Sequence, residues 1–153
     1  MMFTKTTRIL SPLTGTVCPM ADLPDPVFAS GMLGTAVGIV PEVSPVTLLA
    51  PLAGVVSQVS ETRHAVGITS KDGKWAVLVH AGIDTVSLQG DGFTLHVREG
   101  EKVRCGVPLL TMDTAKIEAA GYASTVVVVV TEAPTPPQPV AKGTVRAGEV
   151  LYT

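Results

Sequence analysis

Apolar and polar positions along the chain alternate in short runs rather than recurring with helical spacing. Arg8 to Val17 reads as a short strand, a Pro-Leu-x-Gly corner and a second strand. Met32 to Val40 reads as a further strand or corner, and Phe93 to Val97 alternates as a half-buried strand does. Val126 to Val130 is five consecutive valines. β-Branched side chains crowd a helix and suit a pleated surface, so this run is a fully buried strand. Only Thr114 to Ala120 (TAKIEAA) has convincing helical character, for two turns at most, and Gly121 ends it. Asp22 to Gly31 (DLPDPVFASG) reads as a loop rich in breakers. Glu132 to Pro139 (EAPTPPQP) is a surface loop ahead of the last strand, because proline removes ladder donors.

Two internal echoes accompany this pattern. Ser11 to Val17 (SPLTGTV) matches Ala50 to Val56 (APLAGVV), and Val103 to Leu109 (VRCGVPL) resembles Val145 to Leu151 (VRAGEVL). They are too few and too unevenly spaced for a solenoid and read as repeated β-corners inside one domain. The expectation is an all-β chain: an antiparallel β-sandwich or flattened barrel with Greek-key and jelly-roll-like corners and at most one or two very short helices. A short flexible segment over residues 1–7 would precede one domain over 8–153.

Composition supports this picture. Of 153 residues, 46 % are hydrophobic and 16 % charged, enough apolar surface for a sizeable core. Fifteen glycines and twelve prolines punctuate the chain as short strands and tight turns require. A formal net charge of −2 without a basic run gives nucleic-acid binding no support. The first residues lack the apolar core and cleavage site of a signal peptide, and no apolar stretch is long enough to span a membrane as a helix. A cytoplasmic location is expected, with Cys18 and Cys105 as free thiols.

The candidate chemistry lies in Ser60 to Val86, which reads as a β-hairpin with a histidine at each open end. A three-residue loop at Lys71-Asp72-Gly73 places Ser70 opposite Lys74, Ile68 opposite Ala76, Val66 opposite Leu78 and His64 opposite His80. Thr62 shares that face if the strand continues. His96, in its alternating strand, reads as structural. Paired imidazoles serve two chemistries. One is metal ligation, for which His80 and Asp84 have a suitable spacing but the His-x-His pair of β-rich zinc peptidases is missing. The other is nucleophilic transfer, in which a neutral imidazole attacks phosphorus and its neighbour stabilises the phosphoryl oxygens. No phosphate-cradling nucleotide motif is present, so the phosphoryl group would come from another protein. A third possibility is an interaction module that has lost transfer.

The segments Ser11 to Gly15 (SPLTG), Asp25 to Ala29 (DPVFA), Ala50 to Gly54 (APLAG), Glu61 to Ala65 (ETRHA), Leu78 to Val86 (LVHAGIDTV) and Gly100 to Val103 (GEKV) together resemble the glucose-class enzyme IIA domain of the bacterial phosphoenolpyruvate-dependent sugar phosphotransferase system. The resemblance runs from Arg8 to Leu151. It implies that His80 accepts a phosphoryl group from the histidine phosphocarrier HPr and passes it to a cysteine of the IIB domain of a permease for a glucose-class sugar. It implies that His64 orients and stabilises the phosphoryl group and that Thr62 supports His64 or a phosphoryl oxygen. It implies a docking face of Val27, Phe28, Met32, Gly82 and Val86, with Asp25 and Asp84 as an acidic rim facing the basic surface of HPr. No cofactor is implied, nor any intrinsic metal, although His64 and His80 can hold zinc when a partner adds a carboxylate. Attachment to the membrane would be peripheral, through the IIB and IIC domains only, and a regulatory role toward other transporters is possible in such proteins. Leu78 stands where members often carry an aromatic residue, and Ala81 where a bulky one is common. Both changes would flatten the docking face.

Overall fold

The computed structural model describes residues 7–153, so most of the expected N-terminal segment lies outside the described residues. Among the described residues the strands are β1 (Ile9–Leu10), β2 (Gly15–Pro19), β3 (Thr35–Pro41), β4 (Val46–Leu49), β5 (Gly54–Val59), β6 (Ala65–Ser70), β7 (Ala76–Ala81), β8 (Phe93–Leu95), β9 (Lys102–Val103), β10 (Pro108–Met112), β11 (Val126–Glu132), β12 (Thr144–Val145) and β13 (Val150–Tyr152). The helices are α1 (Pro26–Ala29) and α2 (Thr114–Ala119), with short 3-10 turns at Met20–Asp22 and Thr85–Leu88. All pairings are antiparallel, as the all-β reading expected. The largest sheet runs β12-β2-β3-β11-β7-β6-β5-β9. A three-stranded sheet, β4-β10-β8, supplies Val46, Leu48, Leu110, Met112 and Phe93 to the core that the large sheet covers with Val37, Ile39, Val66, Ile68, Val79 and Val128.

The sequence echoes are real structural equivalents. Leu10 N–H donates to the Pro51 carbonyl and Leu49 N–H to the Pro12 carbonyl, each at 2.9 Å. Gly148 N–H donates to the Ser11 carbonyl and Gly106 N–H to the Ala50 carbonyl, again at 2.9 Å. The two Pro-Leu-x-Gly corners thus clasp each other, and each is held by its own Gly turn. The same two-fold relation runs through the large sheet. Val79 pairs with Val128 at its centre, Ala65 faces His80 where Ala36 faces Val129, and Gly67 faces Leu78 where Gly38 faces Val127. His80 therefore occupies the position that Val129 holds in the other half.

Side chains alternate across the sheet, so Val77, Val79 and Ala81 enter the main core while Leu78 and His80 project from the other face. That second face carries a smaller cluster of Leu23, Phe28, Ala36, Ile83, Val127 and Val129. The segment from Met20 to Gly34 covers part of it. This segment is more ordered than the expected loop: Asp25 accepts from Val27 N–H at 2.8 Å and caps α1, with Pro26 at the first helical position. Helix α2 forms over the expected stretch, capped by Asp113, which accepts from Lys116 N–H. The cysteines are free.

The hairpin register differs from the expectation by one residue. Ala65, not His64, lies opposite His80, followed by Val66 with Val79, Gly67 with Leu78, Ile68 with Val77 and Thr69 with Ala76. The loop holds four residues rather than three. Ser70 N–H donates to the Trp75 carbonyl at 2.8 Å and Trp75 N–H returns to Ser70 Oγ. Asp72 accepts from Ser70 Oγ and Lys74 N–H, which closes the wider loop, and Gly73 takes φ 76°. The extra residue puts Val66 and Ile68 on the face of Val77 and Val79, in the core.

Candidate functional site

The two imidazoles meet despite the changed register. His80 lies on β7 and His64 just ahead of β6. Arg63 N–H donates to the Ser60 carbonyl at 3.0 Å, and Arg63 itself is left-handed at φ 61°. This turn breaks the strand alternation at His64. Ser60 Oγ accepts from both His64 N–H and Ala65 N–H at 3.1 Å. The His64 carbonyl in turn accepts from Ala81 N–H at 2.7 Å. The ring centroids of His64 and His80 are 4.8 Å apart and the planes are nearly perpendicular. The Phe93 ring centroid lies 6.4 Å from that of His64, and the Phe28 ring meets His80 edge-on at 5.1 Å.

Each ring is oriented through Nδ1. His80 Nδ1–H donates to the Gly82 carbonyl at 2.7 Å, because a carbonyl can only accept. That fixes the tautomer and leaves Nε2 with its lone pair. Gly82 adopts φ 83°, and a Cβ there would fall 2.3 Å from Thr85 Cγ2. Thr85 is fully buried and donates to the Ala81 carbonyl at 2.6 Å, so it cannot yield easily. Gly82 N–H donates to the Thr125 carbonyl and Ile83 N–H to the Ala123 carbonyl, tying this turn to the chain entering β11. His64 Nδ1 lies 2.6 Å from Thr62 Oγ1 and 3.3 Å from Ser60 Oγ.

Both histidines are held toward the neutral form. Burial, then the charge of His80, lowers the pKa of His64 from 6.5 to about 4. Burial also lowers that of His80, while the Gly82 carbonyl and the carboxylates of Asp25 and Asp84 oppose the shift. A neutral ring with a free Nε2 is a nucleophile, and the three opposing groups stabilise positive charge that develops on that ring during attack. Among the described residues no group of three or more His, Cys, Asp or Glu side chains converges as a metal set. His64 and His80 alone give two nitrogens, short of the three protein ligands of a hydrolytic zinc centre.

The structure brings His64, His80, Thr62 and Gly82 together, with Asp25 and Asp84 acting on His80 through their charge. Val27, Met32 and Val86 are exposed, and so is Leu33. Three expectations need correction. Phe28 is 6 % exposed, so it backs the His80 ring rather than forming open docking surface. Gly82 is buried and acts through its carbonyl. Ala81 is wholly buried and points into the main core, because adjacent strand residues face opposite ways, so it does not flatten any docking face. His96 is exposed and bonded to Thr111 Oγ1 at 2.7 Å, apart from the site. Ser60 and Thr85 were missed. A buried hydroxyl needs a partner, and Ser60 four residues before His64 was the available signal.

Comparisons with known proteins place the chain in a family. The family model described as phosphoenolpyruvate-dependent sugar phosphotransferase system, EIIA 1 matches residues 7–135. The PTS system glucose-specific EIIA component of Halalkalibacterium halodurans is 42 % identical over 80 % of this chain and 69 % of its own length. The PTS system beta-glucoside-specific EIIBCA component of Bacillus subtilis is 42 % identical over 80 % of this chain but only 20 % of its own length, so the chain spans about a fifth of that relative. The solved glucose permease IIA from Mycoplasma capricolum superposes with a TM-score of 0.90 at 31 % identity, over 99 % of this chain and 98 % of its own. No helix among the described residues is long and apolar enough to cross a membrane. The chain belongs to the EIIA 1 family of the phosphoenolpyruvate-dependent sugar phosphotransferase system and is a phosphocarrier component of that system.

Proposed function

We propose that His80 Nε2 is the atom that carries the phosphoryl group, received from HPr and delivered to a cysteine of the IIB domain of a permease for a glucose-class sugar. The observation that carries this reading is the 2.7 Å bond from His80 Nδ1–H to the Gly82 carbonyl, which leaves Nε2 unprotonated. The Nε2 lone pair forms the new P–N bond as the P–N bond to the donor breaks, and that electron pair returns to the donor imidazole. The His80 ring is cationic while it carries the group, with its charge shared by the Gly82 carbonyl, Asp25 and Asp84. In the second step the thiolate attacks phosphorus and the His80 ring regains its lone pair. His64 holds the phosphoryl oxygens in both steps, and Thr62 orients His64.

Residues 8–153 act as one EIIA domain in the cytoplasm, meeting the membrane only through IIB and IIC. Val27, Met32, Leu33 and Val86, exposed and flanked by Asp25 and Asp84, suit a transient partner with a basic, partly apolar face. The test is phosphoryl acceptance followed by intact mass, with phosphoenolpyruvate, enzyme I and HPr. One phosphoryl addition, labile in acid and absent in His80→Ala, is expected. His64→Gln should still accept but pass the group on poorly. Equal loss of acceptance in both variants would overturn the division of roles.

A further inference from the structure

Ser60 makes contacts that the site described so far does not use. Its hydroxyl oxygen has two acceptor positions and one proton to donate. Both acceptor positions are taken, by His64 N–H and Ala65 N–H at 3.1 Å each. The proton can therefore only be donated, and the acceptor within reach is His64 Nδ1 at 3.3 Å. We propose that Ser60 is a positioning residue that locks His64 as the tautomer protonated on Nε2. Nδ1 then accepts, and Nε2–H is the donor offered to a phosphoryl group on the neighbouring ring.

Thr62 alone does not impose this. Its hydroxyl, 2.6 Å from the same Nδ1, is free to give or to receive the proton, since no backbone donor occupies its lone pairs. If Nδ1–H donated to Thr62, the Ser60 proton would have no protein acceptor in this half-buried turn and would lose its bond to the ring. Two hydroxyls on one nitrogen also have separate uses. When Thr62 turns its proton to a phosphoryl oxygen, Ser60 keeps Nδ1 as an acceptor, so the ring does not change tautomer during transfer. Burial, which keeps His64 neutral, makes the choice between its two nitrogens consequential.

The consequence for transfer rests on the carrier reading above; the tautomer does not. Long-range proton–nitrogen NMR of nitrogen-labelled protein identifies the protonated ring nitrogen of His64 directly. The wild type should carry it on Nε2. Ser60→Ala should give a mixture of tautomers, and Ser60→Thr, which keeps the hydroxyl, should restore the single form. With HPr and the IIB domain, Ser60→Ala should lower the turnover of transfer roughly three- to tenfold, the worth of one neutral hydrogen bond, with little change in KM. A pure Nε2–H form in Ser60→Ala overturns the lock, and so does an Nδ1–H form in the wild type, which decides the matter even if the variant fails to fold. A tautomer shift in a protein that never accepts phosphoryl would support the lock and overturn only the carrier reading.

Discussion

Acidification should destabilise this protein through His64 in particular. His64 is 7 % exposed, its ring lies near those of His80 and Phe93, and its pKa falls to about 4. In the unfolded chain it titrates near the ordinary value of about 6.5. Above that value both states are neutral and the group contributes no pH dependence. As the pH falls below it, the unfolded chain takes up a proton that the folded chain refuses, so stability declines, and the decline is complete below about pH 4. Taken at full size, the shift amounts to about 3.4 kcal/mol, of which about 2 kcal/mol would be lost between pH 7.5 and pH 5. Water at the exposed edge of the ring screens part of the charge, so about 1–2 kcal/mol over that interval is the expectation. Urea unfolding at the two pH values, for wild type and His64→Gln, isolates the term, because carboxylates and His80 titrate in both proteins. The wild type should lose about 1–2 kcal/mol more than the variant on going to the lower pH. Equal losses would refute the claim that the fold enforces a neutral His64, and with it the role of that ring as a one-proton donor.

Gly82→Ala should cost roughly 2–4 kcal/mol, adding the strain of a left-handed alanine to the clash with the anchored Thr85 methyl, and should slow phosphoryl acceptance as the Gly82 carbonyl shifts off His80 Nδ1; urea midpoints and intact-mass time courses read the two effects. Met32→Glu and Val86→Asp should leave stability within about 0.5 kcal/mol of wild type, since both side chains are exposed, yet raise the KM for HPr several-fold, about 1 kcal/mol each, in a steady-state transfer assay. Tyr152→Phe should lower stability by about 1–2 kcal/mol without touching transfer, because its buried hydroxyl shares its one proton between the Val128 carbonyl at 2.8 Å and the Thr35 carbonyl at 3.2 Å and lies outside the site.

What could be read from the chain, and what could not, divides along a physical line. The five valines, the Pro-Leu-x-Gly echoes and α2 were legible because hydrophobic period and breaker residues act locally. The pairing of His64 with His80 was anticipated, but through the wrong geometry. A two-strand register argument depends on loop length, and Ser70 and Asp72 close a four-residue loop with side-chain bonds that Gly73 alone does not reveal. The imidazoles still meet because the left-handed Arg63 and the Ser60 hydroxyl steer His64 out of strand alternation. Ala81 and Phe28 were misplaced for the complementary reason. A motif names residues near the reacting atom, but only the pleat decides that Ala81 faces the core, and only the docking of α1 decides that Phe28 is covered.

The internal symmetry explains why the site is where it is. Around the central Val79–Val128 pair the two halves of the large sheet present the same sequence of small and apolar residues, Ala36 and Gly38 matching Ala65 and Gly67. On one half, Val129 lies across from Ala36 and joins the apolar cluster with Phe28 and Leu23. On the other, His80 lies across from Ala65, whose single methyl leaves room above the strand for the returning His64 ring. The glycine and alanine pair thus has two uses. In one half it admits apolar packing, with Leu23 pressed against Gly38. In the other, Gly67 is packed by Gln58 and Ser57, and Ala65 alone faces the polar pair, whose tautomers are set by backbone and hydroxyl groups. A sheet whose central strands are fixed by Val77, Val79 and Val128 on the core face can carry this difference, because His80 projects from the outer face. Replacing Ala65 by valine should therefore displace His64 and disrupt transfer while the core face of β6, Val66 and Ile68, still packs.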